Sequence, residues 1–243
     1  MILQEVPDQI AQWEKCKAKY KAGYNFGLEK LILEKITWTM DTIDVPWFFC
    51  FGKVLGFIKY NDFDLNYDID IGIFQEDVAD LTIKRVWIEN GYELTHEMID
   101  DYTKLPLNYH FKPIDHNIIG TPHIDIFFWY KHNGAYYHTY DTLREGKTVP
   151  SKYVFRGVPE DCLKPSKEFL ANNIMRDNTL TKHGTWKYCI FDPIQSHTFR
   201  MPFSYGKLLD IWYPGWLFQE EVGKPSKSEL MVTMKSCREW PGK

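Results

Sequence analysis

Two aspartates two residues apart, Asp68 and Asp70, stand in the run Tyr67-Asp68-Ile69-Asp70-Ile71-Gly72-Ile73-Phe74. A third, Asp125, stands in His123-Ile124-Asp125-Ile126-Phe127-Phe128-Trp129-Tyr130. Side chains on a β-strand point alternately to opposite faces, so Asp68 and Asp70 share one face while Ile69, Ile71 and Ile73 share the other. Two carboxylates about 5 Å apart repel by roughly 3 kcal/mol at an effective dielectric near 20, and the pair needs a counter-charge. A hard divalent cation supplies one: Mg²⁺ is the expected ion, with Mn²⁺ as its substitute. An acid flanked by Ile124 and Ile126 also needs a partner, and on a strand beside the first pair Asp125 becomes a third ligand.

Upstream lies Gly52-Lys53-Val54-Leu55-Gly56. The apolar run from Trp47 to Phe51 after Pro46 predicts a buried strand, and residues 53–59 a short helix. The unpaired amides and partial positive charge of a helix N-terminus suit a phosphate, and Lys53 and Lys59 add formal charge. Gly52, Lys53, Gly56 and Lys59 are the candidate phosphate- or cofactor-binding residues, and Gly72 leaves room beside the acids for a ligand or another backbone. The acid-rich stretch from Asn61 to Asp68 fails as a calcium loop. Its glycine position holds Tyr67 and its closing glutamate position holds Ile73.

The remaining pattern is that of an α+β protein. Residues 8–21 predict a basic helix with Lys15, Lys17, Lys19 and Lys21, stopped at Gly23. Leu28, Leu31, Ile32, Ile36, Met40 and Ile43 are spaced as one helix face, and Ala79, Ile83, Val86 and Trp87 as another, closed by Asn90-Gly91. Strands are expected over residues 92–95 and 107–111. Beyond Thr142 the strand pattern weakens at Val158-Pro159, Lys164-Pro165 and Asp192-Pro193. Tyr205, Leu208, Leu209 and Trp212 then predict a final amphipathic turn or two before Pro214-Gly215. These divide the chain into a helical extension (1–23), a catalytic domain (24–219) and a tail (220–243).

With 243 residues, 44% of them hydrophobic, the chain can bury a sizeable core in one domain. Twenty-nine basic against 33 acidic residues leave a net charge of −4, which argues against bulk nucleic-acid binding and for anionic substrates held through metal. Cys16, Cys50, Cys162, Cys189 and Cys237 show no Cys-x-x-Cys spacing and read as reduced thiols. No signal peptide or transmembrane run is visible, so a cytoplasmic or otherwise soluble enzyme is expected.

Several other residues carry weaker signals. His123 shares a strand face with Asp125 and either orients an acceptor or is structural. Arg144, Arg156, Arg176 and Arg200 could each grip phosphate or pair on the surface. Trp129, Tyr130, Tyr136, Tyr137 and Tyr140 could stack on a base or fill the sheet.

Taken together, Gly52-Lys53-Val54-Leu55-Gly56, the phrase from Asp68 to Val78, Ile124-Asp125-Ile126-Phe127, Met201-Pro202-Phe203-Ser204-Tyr205 and Tyr213-Pro214-Gly215-Trp216 resemble the LicD and fukutin families. The likeness is greatest to the fukutin-related branch and covers roughly residues 26–218. These families belong to the nucleotidyltransferase superfamily typified by DNA polymerase β. The chain departs from them at Lys53, where Thr or Ser is usual, at Lys59, where Arg is usual, and at Leu65-Asn66-Tyr67, where Pro-Trp-Asp is frequent. The resemblance implies a DNA polymerase β-like core, a mixed sheet flanked by helices, with a C-terminal region wrapped around it.

It further implies Mg²⁺-dependent transfer of a phospho-alcohol, such as ribitol phosphate or phosphocholine, from a CDP-linked donor to a sugar or glycan hydroxyl, releasing CMP. Asp68 and Asp70 would hold metal on the donor phosphates. Asp125 would hold a second ion or act as general base. The alternatives are nucleotidyl transfer with release of pyrophosphate, a nucleotide-sugar glycosyltransferase, and a non-enzymatic scaffold.

Overall fold

The computed structural model describes residues 26–60, 68–77, 80–99, 104–115, 122–132, 134–144, 147–155, 157–164, 186–191, 196–202, 204–215 and 231–233. The expected basic helix over 8–21, the stretch 61–67, Ala79, Arg156, Arg176 and most of the tail lie outside these residues. So do the side chains of Lys59, Tyr140, Arg144 and Arg200.

Helix α1, Phe26–Asp41, turns Leu33, Ile36 and Met40 into the core. Its end is tied down by the Trp47 indole N–H, which donates to Asp41 Oδ1 at 2.9 Å. Strand β1, Trp47–Phe49, is covered on both sides: Trp47 and Phe49 enter one apolar cluster and Phe48 the other. That explains its unbroken apolar run. The expected strand to Phe51 stops at Phe49, because Phe51 takes a left-handed φ of 49° and swings the chain directly into helix α2, Phe51–Tyr60. Such backbone costs on the order of 1–3 kcal/mol in a non-glycine residue. The Phe51 ring is caged by Phe127, His138 and Trp212, with centroids 5.3, 5.0 and 4.6 Å away.

Strand β2, Asp68–Phe74, leads through a 3₁₀ turn, Gln75–Asp77, to helix α3, Asp80–Glu89. Gly91 ends that helix with a φ of 83°, as its glycine stop predicts. Strands β3, Tyr92–Ile99, β4, Pro106–Pro113, and β5, His123–His132, follow. Strand β6, Ala135–Tyr137, edges β5. The sheet order is β1-β2-β5-β4-β3, with β2 and β5 parallel and the other pairs antiparallel. One face presents Ile69, Ile71, Ile73, Ile124, Ile126 and Phe128 to α1, α2 and α3. Burying each such side chain contributes about 1.5–3 kcal/mol.

The second half is richer in strands than its sequence suggests. Strands β7, Thr139–Arg144, and β8, Lys147–Phe155, form a separate sheet, which β12, Met231–Thr233, later joins. Pro150 is tolerated because it faces Asp141 at a register shift, where the ladder is already interrupted. A short β9, Val158–Pro159, pairs with β6 and runs into helix α4, Glu160–Leu163. Strands β10, Trp186–Phe191, and β11, Ser196–Met201, form a hairpin. Helix α5, Tyr205–Trp212, buries Tyr205, Leu208, Leu209 and Trp212, the four residues its spacing predicts. The architecture is α+β around a mixed sheet. No described helix is long and apolar enough to cross a membrane. Among the described residues, Cys50 and Cys162 are buried thiols not joined in a disulfide.

Candidate metal centre

The parallel pairing of β2 with β5 sets Asp70 directly beside Asp125, and Asp68 beside His123. Strand parity then puts all three carboxylates on the sheet face away from the isoleucines. One oxygen from each of Asp68, Asp70 and Asp125 lies within 4.8 Å of the others. Asp68 is exposed, Asp70 half-buried and Asp125 buried. Burial pushes the Asp70 carboxyl well above its usual range, and the charges of Asp68 and Asp125 add to the rise. Lys53 and His110 act in the opposite direction. An ion with ligands near 2.1 Å holds their oxygens at most about 4.2 Å apart, so modest side-chain rotation would close this set on Mg²⁺. The donor set, carboxylate oxygen only, fits that ion.

On the β1 side, the Cys50 amide donates to the Asp70 carbonyl at 2.9 Å, which anchors the start of α2 beside β2. Gly52 is exposed in the first turn, and Lys53, only 9% exposed, acts on Asp70 electrostatically. Gly56 sits mid-helix, where its amide belongs to the helical ladder rather than to the free N-terminal set. Lys59 lies further along the same helix. Gly72 has a different reason from the one its sequence suggests. A Cβ there would stand 2.6 Å from the Phe48 ring and 2.8 Å from Cys50 Sγ, so the protein's own side chains fill the space expected for a ligand.

On the β4 side, His110 faces Asp125 across the ladder, with its Nδ1 2.5 Å from Asp125 Oδ1. A register shift after Leu94 leaves Thr95 unpaired and brings His96 opposite His110, with ring centroids 5.3 Å apart. Bulges of this kind re-aim side chains beside functional sites. Thr95, His96, His110, Lys112 and His123 line a pocket of about 320 Å³ that opens onto Asp125. Among the described residues, Lys112 and His123 have no hydrogen-bond or ion-pair partner in it.

The structure thus gathers Asp68, Asp70, Asp125 and Lys53, places Gly52 beside them, and adds His110, His96 and Lys112, which the sequence does not single out. Parity puts His110 on the acid face of β4, but only the pairing register places it on Asp125. Trp129 and Tyr136 are core residues. No protein-family model matches the chain, and neither does any curated protein.

Proposed function

We propose that this protein is a divalent-metal-dependent transferase with a DNA polymerase β-like core, moving a phospho-alcohol from a CDP-linked donor to a sugar hydroxyl and releasing CMP. The observation that supports it most is the convergence of Asp68, Asp70 and Asp125 within 4.8 Å. The cluster is flanked by Gly52 and Lys53 on one side and by the polar pocket on the other. The donor's phosphates would lie toward Gly52 and Lys53. The acceptor would enter the pocket, within reach of His123 and Lys112.

A bound cation would neutralise phosphate charge and acidify the acceptor hydroxyl. The acceptor oxygen forms a bond to the alcohol-bearing phosphorus. The bond from that phosphorus to its bridging oxygen breaks, and CMP leaves with the electron pair. The hydroxyl proton passes to Asp125, whose carboxylate His110 orients, and from there to solvent. Lys53 offsets charge on the leaving side.

The test is a product assay read by phosphorus NMR, with purified protein, Mg²⁺, mixed sugar acceptors and either CTP or a panel of CDP-alcohols. CMP formed only from a CDP-alcohol, and abolished in Asp70→Asn, is the expected result. Pyrophosphate from CTP would reassign the protein to nucleotidyl transfer. No phosphorus-containing product from any donor would overturn the proposal.

A further inference from the structure

Among the described residues, the hydroxyl that overlooks the start of α2 comes from far along the chain. Among the described residues outside its own helix, a Cβ built on Gly52 would meet only the Tyr213 hydroxyl within 4 Å, at 3.9 Å. That oxygen therefore bounds the space above the glycine, on the side of the sheet where Asp70 stands.

Tyr213 is held there firmly. It follows α5, and its backbone N–H donates to the Leu209 carbonyl at 2.7 Å. Its ring packs against both apolar clusters, beside buried Leu209 in one and Trp212 in the other. Gly215, two residues further on, takes a left-handed φ of 79°. Burial first, then the charges of Asp70 and Cys50, raise the hydroxyl's pKa, so it stays protonated and able to donate. Among the described residues this hydroxyl has no hydrogen-bond partner. Ring packing alone would be served equally by phenylalanine, and among the described residues nothing uses the oxygen.

We propose that Tyr213 is a phosphate-binding residue, its hydroxyl donating to a non-bridging oxygen of a nucleoside diphosphate group seated over Gly52 and facing the three aspartates. This rests on the reading of the site as one for a CDP-linked donor, and it adds a contact from the C-terminal half. Gly52 allows close approach, Lys53 supplies charge, and Tyr213 supplies a directed neutral donor. Since the phosphate contact would be made in ground and transition states alike, its loss should appear in donor affinity first.

The experiment is calorimetric titration of the full chain with CDP in the presence of Mg²⁺, for wild type and Tyr213→Phe, with thermal midpoints and Mg²⁺-alone titrations alongside. The expected result is Mg²⁺-dependent CDP binding that weakens about 10-fold in Tyr213→Phe, with midpoint and Mg²⁺ response unchanged. Equal CDP affinity in the two proteins would overturn the role of Tyr213 and leave the proposed reaction standing. A lowered midpoint in Tyr213→Phe would assign the hydroxyl to the fold and also overturn it. Wild-type protein that binds Mg²⁺ but no CDP would remove the donor reading and this proposal with it.

Discussion

His110 Nδ1 stands 2.5 Å from Asp125 Oδ1, and the two residues are direct partners across the antiparallel pairing of β4 with β5. The ladder that holds the sheet together therefore also aims the carboxylate. A histidine paired in this way with a ligand carboxylate limits its rotation and tunes its basicity.

Replacing His110 by Ala should lower turnover and divalent-ion affinity by about 10- to 100-fold while leaving the fold intact, because the imidazole is partly exposed and its loss opens no cavity in the core. Mn²⁺ binding followed by electron paramagnetic resonance, beside CMP release, reads both quantities. Unchanged Mn²⁺ affinity would show that His110 does not act through Asp125.

Asp70→Asn should separate a metal site from a structural network by its sign. The metal-free protein should gain about 1–3 kcal/mol from relief of carboxylate repulsion, and it should lose the rise in thermal midpoint that Mg²⁺ gives the wild type. The pH dependence follows from the raised pKa of Asp70. In the metal-free wild type its contribution is best at low pH, where the group is protonated. That contribution falls away as pH climbs from the unfolded pKa through the raised folded one. Asp70→Asn should flatten this decline. A destabilised metal-free variant would mean that the carboxylate serves the fold.

The two glycines nearest the site should behave oppositely. Gly52→Ala places a methyl group at ordinary contact distance from the Tyr213 hydroxyl and clashes with nothing among the described residues, so stability should hold while donor affinity drops several-fold. Gly72→Ala collides with the Phe48 ring and Cys50 Sγ and should cost about 1–3 kcal/mol through overpacking. Denaturant midpoints and CDP titration distinguish the two.

Acid stability should depend on Glu76. Burial alone would raise its pKa, but hydrogen bonds from the Tyr136 hydroxyl at 2.5 Å and Lys164 Nζ at 2.9 Å outweigh this and lower it. Its contribution is therefore present above the unfolded carboxylate pKa and lost as pH falls through the folded value. Tyr136→Phe should cost about 1–3 kcal/mol at neutral pH, as expected for a hydrogen bond to a charged group, and less at pH 3. An equal loss at both pH values would mean that Tyr136 acts by packing alone.

Much of the local architecture follows from the order of residues. Alternation in β2 places Asp68 and Asp70 on one face and three isoleucines on the other. The spacing of α5 names its four buried residues, and Gly91 ends α3 where glycine is the natural stop. A two-residue or 3.6-residue period suffices for each, because the information is contained within one element. The strands after Thr142 are less legible. Pro150 breaks the pattern locally, and only the register shift in its pairing with β7 shows why it is accepted.

What tertiary structure alone decided is registration between distant segments. The period of a strand says which face a side chain takes, but its opposite number depends on how two strands slide before they lock. That choice set Asp70 beside Asp125 and Asp125 beside His110, and the bulge at Thr95 turned His96 to join them. It also covered Gly72 with Phe48 and carried Tyr213 to Gly52. The carboxylates and their face are written in the chain. Their neighbours are settled by packing, since no local periodicity spans the distance from β2 to α5.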